Sequence, residues 1–183
     1  MARTAGHRPF ERVFMVGPMG AGKTVIGRHL AHQMGWAFLD TDHMIEAELG
    51  TDIPTIFSIE GEAGFRRHEH VVLTRLLNHQ QTVIATGGGC VLLPENRALL
   101  TYHSRVVLIV VDPALQLERT RVHSNRPILE SGDPGGTLNR LWIERRTLYH
   151  SIADLILDSS RGHPRTLAAS LLPHLLIKPQ TET

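Results

Sequence analysis

Val13-Phe14-Met15-Val16-Gly17-Pro18-Met19-Gly20-Ala21-Gly22-Lys23-Thr24 is the stretch on which the reading of the whole chain turns. Its first four residues are apolar without alternation, as a strand buried on both faces requires. The next eight match G-x-x-x-x-G-K-S/T. A helical pattern follows at once, with Val25, Ile26, Leu30, Ala31 and Met34 at helical spacing and Gly35 as a stop. Strand, glycine-rich turn and helix in that order form a P-loop. The glycines let backbone N–H groups converge on phosphate oxygens, and the helix N-terminus adds positive potential. Lys23 is placed to reach the terminal phosphates of ATP, and the Thr24 hydroxyl to ligate Mg2+.

The same alternation runs outward through the chain. Residues 36–39, 82–85, 105–111 and 155–157 read as further strands. Helices are expected over 41–49, closed by Gly50, over 53–78 with an interruption around Gly61 and Gly64, after Pro94, after Pro113, and over about 138–149. Strands that are apolar throughout imply a parallel sheet of about five strands with helices on both faces. Ligands of such sheets sit at the carboxyl ends of the strands. A length of 183 residues suits one domain over 1–183, with a loose polar start over 1–10. Residues 123–136 contain Pro127, Gly132, Pro134, Gly135 and Gly136, and are expected to form a mobile lid loop.

Composition narrows the partner. Nineteen basic and 18 acidic residues leave a net charge of +1 with no long run of either sign, which argues against nucleic acid or a membrane surface and for a small molecule. The longest apolar run, 106–111, falls far short of the roughly 20 residues that cross a bilayer. A single cysteine, Cys90, excludes an internal disulfide, and no apolar signal core precedes Glu11 and Arg12, so a reducing cytoplasm is expected. The chain is also expected to be a monomer. Twelve histidines are scattered without paired ligand spacing, and no zinc site is expected.

Two strands end in aspartate. Asp112 is followed by Pro113, and a helix cap with proline in the first turn explains it. Asp40-Thr41-Asp42 instead directs two carboxylates toward the expected crevice, although a second helix cap is the plain alternative. Three more segments bear on the phosphoryl acceptor: Phe65-Arg66-Arg67-His68-Glu69, Thr86-Gly87-Gly88-Gly89 after the third strand, and Asn125-Arg126-Pro127 in the lid. Taken singly, the first also fits a solvated helix face and the second an ordinary turn.

Their order is more specific. A P-loop, then D-x-D, F-R-x-x-E, G-G-G, R-P in a lid, and Arg145 followed by Leu148-Tyr149 resembles the shikimate kinase family over residues 12–165. The resemblance implies a P-loop NTPase of nucleoside-monophosphate-kinase type that moves the gamma-phosphoryl of ATP to the 3-hydroxyl of shikimate. It makes Gly20, Ala21, Gly22, Lys23, Thr24 and Val25 the ATP loop, with Thr24 on Mg2+ and Asp40 in its outer shell. Asp42 resembles the acid that hydrogen-bonds the acceptor hydroxyl, and Lys23, Asp42 and Arg126 the catalytic set. Arg66 and Arg145 resemble the pair that grips the carboxylate and ring hydroxyls, and Gly88 the backbone donor beside the ring. Arg119 resembles the nucleotide-base contact, with Pro164 at the border of the base, and Arg126 the lid arginine on the phosphates.

Three positions depart from the family pattern. Thr24 stands where serine is common and keeps the hydroxyl; Cys90 stands where a smaller residue is usual; Thr147 replaces a proline. The last leaves Arg145 and Arg146 as rivals for the substrate, and the spacing to Leu148-Tyr149 favours Arg145. A gluconate-type kinase would share the loop, strand order and lid but lacks its acceptor motif here, and a nucleoside monophosphate kinase would bring several lid arginines. A non-catalytic ligand-binding module would have lost part of the constellation or carry a DNA-binding segment, whereas here every part is present and no helix-turn-helix precedes residue 11.

Overall fold

All five residues of β1 (Arg12–Val16) are buried, because this strand feeds two cores at once. Val13 and Met15 point to one side of the sheet, Phe14 and Val16 to the other. The computed structural model describes residues 10–121 and 132–175. After β1 come α1 (Lys23–Met34), β2 (Ala37–Asp40), α2 (Thr41–Leu49), α3 (Ile53–Leu76), β3 (Thr82–Ala85) and α4 (Pro94–Thr101). Then follow β4 (Ser104–Val110), α5 (Pro113–Arg121), α6 (Pro134–Ile152), β5 (Leu155–Asp158) and α7 (Pro164–Leu175). The five strands are all parallel, in the order β2-β3-β1-β4-β5.

Ile26, Leu30 and Ala31 of α1 and Ala168, Leu171 and Leu175 of α7 cover the Val13–Met15 face. Residues of α2, α3, α4 and α6, among them Ile45, Phe65, Leu73, Leu100 and Tyr149, cover the other. Arg12 is the one charged residue of β1, and its guanidinium donates to the carbonyls of Leu77 and His79 at 2.6 and 2.8 Å, pinning the chain that leaves α3.

Register decides where the site lies. Asp40 pairs with Ala85 and Ala85 with Met15, so the chain leaves β2, β3 and β1 at one level. From β1 the chain passes over β3 to the sheet edge, whereas from β3 it crosses to β4 on the far side of β1. Diverging connections open a crevice between the neighbouring strand ends.

The expected elements are present, with three differences. The helix expected over 138–149 begins at Pro134, so Pro134, Gly135 and Gly136 form its first turn rather than the end of a loop. Asp133 causes this: its carboxylate accepts from the Gly136 N–H at 2.9 Å, and proline suits the first turn. Helix α3 runs on through Gly64 and breaks only at Gly61, whose φ of 67° and ψ of −177° leave the helical region. Helix α7 was not expected, since Pro164 and Pro173 mask its apolar stripe. Residues 1–9, 122–131 and 176–183 lie outside the described residues, and with them Arg126 and most of the expected lid.

Candidate active site

One cavity of about 670 Å³ opens at the carboxyl ends of the strands, and both halves of the expected constellation line it. On one side Gly17, Gly20 and Gly22 hold φ angles of 136°, 74° and 91°, a left-handed range that favours glycine. A methyl group on Gly17 would also meet the Ile109 carbonyl oxygen at 2.3 Å. The loop between them delivers Lys23 and Thr24 into the first turn of α1. Lys23 Nζ donates to the carbonyls of Gly17 and Pro18, each at 2.8 Å, so it already lies across the loop mouth.

Asp40 does two things. Its Oδ2 accepts from the Thr24 hydroxyl at 2.8 Å, and its Oδ1 accepts from the Asp42 N–H at 3.1 Å, capping α2. The helix cap thus falls on Asp40 rather than on Asp42, whose own N–H is the group that is capped. With its proton committed to Asp40, the Thr24 oxygen keeps its lone pairs for a cation, a donor set of the hard type that Mg2+ prefers. Asp112 is a helix cap, its Oδ1 accepting from Ala114 N at 2.9 Å. Val25, Arg119 and Pro164 also line the cavity.

On the other side the site is made of buried charge. Asp42 projects from the first turn of α2, and Arg66 from α3. Arg66 donates to Glu69 at 2.8 Å and to Glu62 at 3.0 Å. Burial opposes the charge on Arg66, but Glu69 and Glu62 together outweigh it and hold the guanidinium pKa above its ordinary value. Glu69 is wholly buried, and burial raises its carboxyl from 4.5 to about 7 against the attraction of Arg66, with Asp42 adding to the rise. Its second oxygen, Oε1, is buried without a hydrogen-bond partner among the described residues.

Arg145, from α6, donates to the Gly88 carbonyl at 3.3 Å, and Tyr149 one turn further donates to the same oxygen. Burial, and then the neighbouring Cys90, drives the Tyr149 phenol upward, so it stays a donor. Arg145 is buried and lines the cavity, while Arg146 is exposed and does not line it. Cys90 is buried, its thiol pushed up to about 12 by burial and by Glu69, and it donates to Thr86.

Two glycines next to the anticipated Gly88 matter for packing. A methyl on Gly89 would sit 2.0 Å from Arg66 Nη2, and one on Gly87 would sit 2.7 Å from Glu69 Oε1 and 2.9 Å from Asp42 Oδ1. In the sequence Gly87, Gly89 and Glu69 stand only as parts of the G-G-G and F-R-x-x-E segments, with no role of their own; for Glu69 the R-x-x-E spacing on a helix was the available signal.

A P-loop motif facing an arginine-lined pocket in a single cleft is the arrangement that a P-loop phosphotransferase requires. A family model described as Shikimate kinase matches residues 19–176. The shikimate kinase of Halorhodospira halophila is 45% identical over 169 residues, which is 92% of this chain and 96% of that one. The solved structure of shikimate kinase from Acinetobacter baumannii in complex with shikimate superposes with a TM-score of 0.88 at 42% identity, covering 91% of this chain and 93% of that one. The chain belongs to the shikimate kinase family and is an ATP-dependent phosphotransferase. A gluconokinase from Sinorhizobium meliloti, at 14% identity and a TM-score of 0.53, shares the fold alone. Among the described residues no helix is long and apolar enough to cross a membrane, and no cluster of three or more metal-ligating side chains occurs.

Proposed function

We propose that this chain transfers the terminal phosphoryl group of ATP to the 3-hydroxyl of shikimate, giving shikimate 3-phosphate and ADP. The observation that carries this reading is the placement of Arg66 and Arg145 in one cavity with Asp42 and the phosphate loop. Two guanidiniums offer planar, forked recognition to a carboxylate, which a neutral sugar would not need. Gly88 lines the same cavity, its carbonyl accepting from Arg145 and Tyr149.

In the step itself the acceptor oxygen bonds to the phosphorus as the bond to the bridging oxygen of ADP breaks, and the hydroxyl proton passes to Asp42. Lys23 moves from its carbonyl partners onto the phosphate oxygens, and its charge offsets the negative charge that spreads over them. Thr24 would hold Mg2+, with Asp40 behind it, and the ion would neutralise the phosphates. Arg119 and Pro164 would border the nucleotide base. Arg126 keeps its assignment to the phosphates on its place in the sequence pattern. A site assembled within one chain suits a monomer, and a lone buried cysteine suits the cytoplasm.

Coupled ADP release should appear with shikimate and stay at background with gluconate or nucleoside monophosphates. Turnover on gluconate or a nucleotide, with none on shikimate, would overturn this reading.

A further inference from the structure

Ser159 follows β5 directly and is 1% exposed, yet no motif in the sequence draws attention to it. Its N–H donates to the Val110 carbonyl at 2.9 Å, which anchors it to the sheet. A serine hydroxyl has one proton, and here it goes to the Ala21 carbonyl of the phosphate loop at 2.7 Å. The same oxygen must then act as acceptor toward Arg119 Nη1 at 3.1 Å, while the Ser159 carbonyl accepts from Arg119 Nη2 at 3.0 Å. A longer bond of 3.4 Å runs from Nη1 to the Gly20 carbonyl.

Arg119 thus has both terminal nitrogens tied to two chain segments before any nucleotide arrives. A free arginine of α5 would be ordered only on binding, and that ordering subtracts from affinity. With both nitrogens engaged, the guanidinium offers a base its planar face, a surface that stacks on aromatic rings.

We propose that Ser159 is a positioning residue for the nucleotide: it fixes the guanidinium plane of Arg119 and couples it, through Ala21, to the phosphate loop. The inference rests on the reading above in which Arg119 meets the base. A purely structural role is the rival, in which Ser159 supports the loop through Ala21 and Arg119 is incidental.

A double-mutant cycle on ADP affinity by calorimetry separates the two. Ser159→Ala and Arg119→Ala should each weaken ADP binding by roughly tenfold, the scale of losing a hydrogen bond to a charged group. The double variant should be no weaker than Arg119→Ala alone, because one effect acts through the other. In steady state Ser159→Ala should raise KM for ATP and leave KM for shikimate alone, and Ser159→Thr, which keeps the hydroxyl, should restore the parent value. Losses that multiply in the double variant overturn the proposal in favour of loop support, as does a Ser159→Ala affinity within about twofold of the parent. If Arg119→Ala alone binds ADP like the parent, the reading of Arg119 as the base contact fails and takes this inference with it. Should Ser159→Ala not fold, Ser159→Cys, similar in shape but a weak hydrogen-bonding group, runs through the same cycle with the same criteria.

Discussion

On the phosphate side of the cleft the surface offered to ligand is mostly main chain: three glycines in left-handed conformations and the N-terminus of α1. On the acceptor side, the same cavity is walled by long charged side chains from α3 and α6, held by a wholly buried glutamate and by the Gly88 carbonyl. Phosphate is recognised by converging backbone dipoles, which cost little to preorganise once glycines allow the turn. A ring carrying a carboxylate needs charge at fixed angles, so guanidiniums must be taken out of water and kept paired. The first solution tolerates no extra Cβ; the second tolerates no lost partner.

That contrast sets the sizes of the expected effects. Lys23→Met should cut turnover by about three orders of magnitude or more, the scale of charge stabilisation in phosphoryl transfer, with the melting curve unchanged. Near-normal activity would break the phosphate half of the account. Arg66→Ala and Arg145→Ala should each weaken shikimate by about 2–5 kcal/mol and ADP far less. Arg66→Ala should also destabilise the fold, because it leaves the buried Glu69 without its hydrogen-bond and charge partner and drives its carboxyl further upward. Arg146→Ala, on the exposed face, should be close to silent in the same titrations.

Glu69 allows a test by pH. Its folded pKa of about 7 lies above the ordinary 4.5, so the folded state holds the proton more tightly. Its contribution is therefore full below pH 4.5 and lost as the pH rises through about 7. Relative to Glu69→Gln, the parent should lose at most about 3 kcal/mol of unfolding free energy across that window. A pH-independent difference between the two proteins would contradict the burial argument. A smaller effect than at Arg66 or Arg145 is expected at Gly89→Ala, where the new methyl must displace the Arg66 guanidinium. A cost of about 1–3 kcal/mol, as for overpacking, should appear in shikimate binding and not in ADP binding.

The contrast also explains what could be read from the sequence. The phosphate loop is contiguous, and its demands fall on residue types, so glycine, lysine and threonine at fixed spacing disclose both the fold and that half of the site. The proposed acceptor half is drawn from residues 42, 66, 69, 87–89 and 145, and only their order along the chain, matched to a family pattern, connects them. Arg145 and Arg146 could be separated in principle by helical period, since Arg145 and Tyr149 are four apart and share a face that Arg146 does not. Gly89 was not legible, because its requirement comes from the Arg66 side chain lying against it. Nor was Ser159, whose partners are 40 and 138 residues away. The start of α6 was hidden because proline and glycine read as loop until the Asp133 cap is seen.

The two halves should therefore fail separately. Calorimetric titration of Lys23→Met and Arg145→Ala, each with shikimate and with ADP, tests this most directly. Lys23→Met should bind shikimate, and Arg145→Ala should bind ADP, within about twofold of the parent, as independent sites require. Matched losses of both ligands in either variant would contradict the account of one cleft built by two separate physical means.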